Sequence, residues 1–135
     1  MRQQRFILSL IAIVALSGLV TTQDNAEDSK TVIVEPKQQP YYMESGDNLR
    51  LECHYTDVDY DTVTLSWFKD EEPLFDGRDD FYMTKEKIED KQTLVSTLNK
   101  KNVDLEDTAS YKCRKAGAGS AKGYNMPVYV FTIVA

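Results

Sequence analysis

In the run Asp107-Thr108-Ala109-Ser110-Tyr111-Lys112-Cys113, followed by Arg114, the apolar Tyr111 and Cys113 alternate with Lys112 and Arg114. A period of two is the signature of a strand with one buried face. The same alternation recurs upstream. Leu49, Leu51 and Cys53 alternate with Arg50 and Glu52; Val63, Leu65 and Trp67 alternate with Thr64, Ser66 and Phe68; Leu94, Ser96 and Leu98 form a further run. Thr31 to Val34 is β-branched, and Pro36 and Pro40 after it suit a sheet edge. Glu44-Ser45-Gly46-Asp47 has turn chemistry. Asp70 to Asp80 is charged and turn-rich, Phe81 to Thr84 fits a strand, and Lys85 to Lys91 reads as a polar connection. Ala116 to Gly123 reads as a loop, and Val128 to Val134 as the last strand. Short strands at this spacing, without a long amphipathic helix, predict an all-β sandwich or barrel.

The two cysteines, 60 positions apart, are the only two in the chain. Their redox state depends on the compartment, and the N-terminus indicates one. Arg2 and Arg5 precede an apolar run from Phe6 to Leu16, and small residues follow. That is the order of a secretory signal, with cleavage sites at Ala15-Leu16-Ser17 or Val20-Thr21-Thr22. A retained membrane helix is the competing reading, but the run ends near Val20, short of the ~20 residues a span needs. The expected organisation is a signal peptide over 1–22, cleaved between 17 and 22, a flexible N-terminus over 23–30, and one domain over 31–134. The apolar stretch Met126 to Ala135 has the length of a strand, so the chain is expected to leave the cell unanchored. In a secreted chain an even cysteine count predicts a bridge.

The 135 residues carry 16 basic and 22 acidic side chains, a net charge of −6, and are 41% hydrophobic. That content is enough for a packed core. The negative charge argues against nucleic acid and against docking on anionic lipid.

The residues now on the page resemble the immunoglobulin superfamily. Cys53, then Trp67, then Asp107-x-Ala109-x-Tyr111-x-Cys113 follows its D-x-A-x-Y-x-C signature, and Glu44-x-Gly46-Asp47-x-Leu49-x-Leu51-x-Cys53 is similar to its second strand. The resemblance spans roughly Thr31 to Val134. It implies a two-sheet antiparallel Greek-key sandwich with an inter-sheet Cys53–Cys113 disulfide, and Trp67 packed against it. It also implies a Tyr111 hydroxyl bonded back to the backbone. Asp107 would pair with a basic residue at the start of the fourth strand, Arg78 or Lys85. The short middle and the Pro-broken first strand look most like the intermediate set of adhesion and neuronal receptors.

No residue set predicts an enzyme. The single histidine, His54, follows an inward Cys53 and therefore points outward. No G-x-S-x-G elbow is present. Asp57, Asp59 and Asp61 resemble the start of a calcium loop, but Thr62 and Phe68 occupy the positions an EF-hand gives to Gly and Glu, so a solvated acidic turn is expected. Gly117-Ala118-Gly119 with Gly123 lacks the following helix of a phosphate loop and reads as a hairpin loop. No cofactor or metal is expected.

The expected function is an extracellular protein-binding module acting in cell–cell adhesion or neuronal recognition. The alternative is a soluble immune-type or decoy binder of foreign or modified surfaces. The partner is expected to be an extracellular or cell-surface protein, including a second copy. Alternation selects the surface. With Trp67, Tyr111 and Cys113 inward, Phe68, Lys112 and Arg114 point outward on one sheet. If Val128, Val130 and Val134 are inward, Tyr129, Phe131 and Ile133 are outward; the other register exposes the valines. Either way an apolar stripe is expected beside Phe68, Lys112 and Arg114.

Overall fold

The computed structural model describes residues 30–119 and 122–134. The expected signal peptide, and all but Lys30 of the expected flexible N-terminus, lie outside the described residues. Nine strands follow in order: β1 (Thr31–Glu35), β2 (Tyr41–Glu44), β3 (Leu49–Thr56), β4 (Leu65–Lys69), β5 (Glu72–Pro73), β6 (Phe81–Ile88), β7 (Thr93–Lys100), β8 (Ala109–Lys115) and β9 (Tyr124–Phe131). Short 3₁₀ turns sit at Glu89–Lys91 and Leu105–Asp107.

The strands form two sheets. One has the order β1-β3-β7-β6, the other β2-β9-β8-β4-β5. The sequence reading anticipated this two-sheet sandwich, with one qualification. All pairs are antiparallel except β2 with β9, which run parallel. The chain switches sheets between β1 and β2, across the segment holding Pro36 and Pro40. A proline cannot donate to a ladder, so the crossing falls where no sheet needs those N–H groups.

The alternation read from sequence becomes the core. Leu49, Leu51, Cys53, Trp67, Leu98, Tyr111 and Cys113 are all buried between the sheets. Cys53 and Cys113 are bonded, joining β3 to β8 across the sandwich. Trp67 lies beside Cys113 in the β4–β8 ladder, and its indole N–H donates to Ser96 Oγ at 2.9 Å. The Tyr111 hydroxyl donates to the Asp107 carbonyl at 2.7 Å, as the resemblance implied. Ala109, the small residue of the signature, is also buried.

Three expectations change. β6 continues through the predicted polar connection to Ile88, pairing along its whole length with β7. It is an edge strand whose Thr84, Lys85, Glu86 and Lys87 are exposed, so it needs no apolar alternation there. β9 begins at Tyr124 and ends at Phe131, so Val134 is exposed rather than inward.

The third change concerns Asp107. Neither Arg78 nor Lys85 pairs with it. Its carboxylate is buried and accepts from Lys100 Nζ at 2.6 Å, with Lys69 Nζ at 3.6 Å. Lys100 ends β7 and Lys69 ends β4, so one lysine from each sheet converges on the 3₁₀ turn Leu105–Asp107. Arg78 instead lies over the Phe75 ring. The same turn is capped reciprocally: the Glu106 N–H donates to Asp104, and the Asp104 N–H donates to Asp107 at 2.9 Å. Burial by itself would raise the Asp107 pKa. The Lys100 and Asp104 bonds and the two lysine charges outweigh it, and hold the carboxyl below its usual range.

Candidate protein-binding face

The outer face of the five-stranded sheet carries most of the residues singled out above. β4 contributes Ser66 and Phe68, and β8 contributes Ser110, Lys112 and Arg114. β9 contributes Asn125, Pro127, Tyr129 and Phe131, and β2 contributes Tyr42 and Glu44. The valine register is resolved: Met126, Val128 and Val130 are buried, while Tyr129 and Phe131 are exposed.

The structure divides these residues into two groups. Phe68, Lys112 and Asn125 stand at one level across the sheet. Tyr129 lies four residues beyond Asn125 along β9, about 13 Å at the usual strand rise. Phe131 lies further still. The single stripe expected from alternation is therefore two apolar patches. Polar Ser110 and Asn125, whose side chains face each other at 3.5 Å, lie between them.

The first patch is a stack. The Arg114 guanidinium lies 4.1 Å from the Phe68 ring centroid, a cation–π contact. β9 approaches Arg114 through Gly123, which has φ +105°. A Cβ there would fall 2.6 Å from both Arg114 Cβ and the Cys113 carbonyl oxygen, so only glycine fits.

Lys112 departs from expectation. It points to the outer face, yet its side chain is only 6% exposed. Its ammonium is bonded to Glu71 at 2.7 Å. Glu71 reaches it because Asp70 and Glu71, with φ 48° and 69°, form a tight two-residue turn between β4 and β5. That turn is clamped to β8: the Asp70 N–H donates to the Ser110 carbonyl, and the Ser110 N–H donates to the Asp70 carboxylate. Lys112 is thus covered by its own chain and does not offer its charge to a partner.

The second patch includes a residue that sequence reasoning missed. Tyr42 on β2 stacks on Tyr129 with ring centroids 5.5 Å apart, and Phe131 follows on the same face. Tyr42-Met43 after Pro40 shows one step of alternation, too short a signal to place a strand. Charge on the outward strand positions of this sheet is limited to Arg114, Glu44 and the Lys112 that Glu71 neutralises. The opposite sheet shows a linked row instead, with Arg50 and His54 both bonded to Glu52, at 2.8 and 2.7 Å.

At one end of the sandwich the acidic turn is neutralised locally. Lys30 pairs with Asp57 at 2.7 Å, and Asp59 accepts from the Tyr55 hydroxyl at 2.7 Å and from Lys115 at 3.3 Å. Among the described residues no group of three His, Cys, Asp or Glu side chains could hold a metal ion. No described helix is long and apolar enough to cross a membrane.

The comparisons agree with this architecture. The immunoglobulin domain model matches residues 30–115, and the chain belongs to that family. No curated protein matches the sequence. Among solved structures, the BTLA ectodomain superposes with a TM-score of 0.53 at 19% identity, covering 76% of this chain and 98% of the other. Dpr2 domains Ig1–Ig2, solved in complex with DIP-Theta, give 0.54 at 18% identity, covering 76% and 32%. A tandem of titin immunoglobulin domains gives 0.53 at 20% identity, covering 77% and 50%. The chain spans about half the length of the titin tandems it matches. At these identities the likeness shows the fold alone.

Proposed function

We propose that this chain is an extracellular protein-binding module acting in cell–cell adhesion or neuronal recognition, and that it binds through the outer face of the five-stranded sheet. The observation that carries this reading is the exposed aromatic group Tyr42, Tyr129 and Phe131 on a face with little charge, in a chain of net charge −6. Aromatic enrichment with charge depletion is the composition of interface centres. Five strands about 4.8 Å apart make a face about 24 Å across, enough for a standard interface of roughly 800 Å² per partner. Of the structures sharing this fold, one is the BTLA ectodomain and another, Dpr2 Ig1–Ig2, was solved in complex with DIP-Theta Ig1–Ig3. In this reading residues 1–22 direct export and are removed, and the partner is an extracellular or cell-surface protein.

The test is Phe68→Asp and Phe131→Asp, each checked for folding by circular dichroism and then, as fluorescent tetramers, for binding to cells of the source organism. Loss of at least about tenfold in apparent affinity is expected for each. If both variants fold and bind like the parent, the recognition surface lies elsewhere, at the end loops around Asp57 to Asp61 and Ala116 to Gly123.

A further inference from the structure

We infer that Asp76-Gly77 is a site of spontaneous isoaspartate formation, held shut in the folded domain by two hydrogen bonds to the edge strand β6. The inference goes beyond the binding reading and is independent of it. Of the six glycines in the chain, Gly77 alone follows an aspartate or asparagine. That order is reactive because a glycine nitrogen has no side chain beside it to hinder attack. The Gly77 nitrogen attacks Asp76 Cγ and forms the N–C bond of a five-membered imide; the hydroxyl of the carboxylic acid and the nitrogen's proton leave as water. One water then adds back. Opening at the side-chain carbonyl restores aspartate, and opening at the main-chain carbonyl routes the chain through the side chain as isoaspartate. Mass is unchanged, and water is the only co-reactant.

The fold requires both residues. Phe75-Asp76-Gly77-Arg78 is a turn closed by the Arg78 N–H on the Phe75 carbonyl at 3.1 Å, and Gly77 holds φ +80° at its third position. That sign of φ favours glycine there. Asp76 Oδ1 accepts from the Met83 N–H at 2.9 Å, and the Gly77 N–H donates to the Phe81 carbonyl at 2.8 Å. The attacking nitrogen and the carboxyl it would attack are thus each tied to a different residue of β6. An amide nitrogen must lose its proton to attack, and a bonded N–H gives that proton up only when its bond opens, as in hydrogen exchange. Access is not what restrains the pair. Residues 75–80 are exposed, and a Cβ built on Gly77 would meet nothing within 4 Å. β6 has only β7 as a strand neighbour, so the loop can lift from its free edge while the β6–β7 ladder stays. Isoaspartate adds a carbon to the main chain and moves the carboxylate off the position facing Met83. It therefore uncovers the start of the β6 edge, a template for pairing with another chain.

The test incubates the disulfide-intact protein at mildly alkaline pH and follows isoaspartate at residue 76 by proteolysis and electron-transfer mass spectrometry. The reduced chain in urea is the unlocked reference. Isoaspartate is expected at residue 76 ahead of every other residue in the unfolded chain, and at least about tenfold more slowly in the folded one. Exchange and cyclisation both need the same nitrogen deprotonated. Exchange of the Gly77 N–H, read by ¹⁵N NMR, should therefore be slowed by a factor within about threefold of the isomerisation factor. Met83→Pro removes one of the two bonds. The Met83 N–H faces the free edge, where proline leaves the ladder intact, so isomerisation should quicken by at least about threefold with the circular dichroism retained. Asp76→Glu, which would need a larger ring, should remove the signal. The comparison of folded and unfolded parent decides the matter whether or not Met83→Pro folds. Equal rates in the folded and unfolded chain, an unprotected Gly77 amide, or a folded Met83→Pro that isomerises like the parent would overturn the lock. Isoaspartate arising first at another residue of the unfolded chain would overturn the site.

Discussion

Replacing Cys53 and Cys113 together with alanine lowers the unfolding free energy by about 4 kcal/mol, the chain-entropy value for a loop of this size. The bond ties β3 of one sheet to β8 of the other, so without it the denatured chain regains the freedom of the 60-residue separation. The buried alanines also leave unfilled space beside Trp67, which stacks in register with Cys113. Urea denaturation of the parent, the double variant and the reduced parent checks this. The reduced protein and the double variant are expected to unfold at similarly low urea. A double variant with the parent's midpoint would show that the bridge adds nothing to this sandwich.

Asp107→Asn costs about 3 kcal/mol, the low end for breaking a buried ion pair, because Lys100 and Lys69 can turn toward water. The amide keeps the shape but cannot balance two ammonium groups converging on it. The effect has a pH signature. The folded pKa of Asp107 lies below its unfolded value, so the carboxylate's contribution is complete above the unfolded pKa of about 3.9. It is lost as pH falls through the lower, folded value. Stability of the parent should therefore drop on acidification below about pH 4 more steeply than that of Asp107→Asn. Denaturation midpoints measured across that interval decide it; parallel slopes would mean that Asp107 is not the group that titrates.

What was legible in the sequence follows from what alternation can report. It reports which side of a strand a residue faces, and so it found Leu49, Leu51, Cys53, Trp67, Tyr111 and Cys113, each buried. It does not report the level along a sheet. Phe68 and Tyr129 share a face, but only the β4–β8–β9 register shows that they belong to separate patches. It is silent on what folds over a face: Lys112 points outward and is covered because two non-glycine residues with positive φ turn Glu71 back onto it. It is weakest at exposed edges. The second half of β6 reads as a connection because an edge strand tolerates Lys85-Glu86-Lys87, and the alternation of Leu94, Ser96 and Leu98 stops short of Asn99 and Lys100 although β7 continues through them. That early stop concealed the Asp107 partner. Lys100 reaches the carboxylate from the end of a strand in the other sheet, a meeting set by three-dimensional packing.

The outer face of the five-stranded sheet, rather than that of the four-stranded sheet, is proposed to bind. Tyr129 and Tyr82 make a matched pair for testing it. They are 46% and 54% exposed, sit on strands of opposite sheets, and differ in which outer face they occupy. Tyr129→Asp and Tyr82→Asp should cost similar, small amounts of stability, because neither side chain is in the core. In the same tetramer binding assay, Tyr129→Asp should lose at least about tenfold in apparent affinity while Tyr82→Asp binds like the parent. Equal binding by the two variants, or loss confined to Tyr82→Asp, would contradict the assignment of the five-stranded sheet as the recognition face.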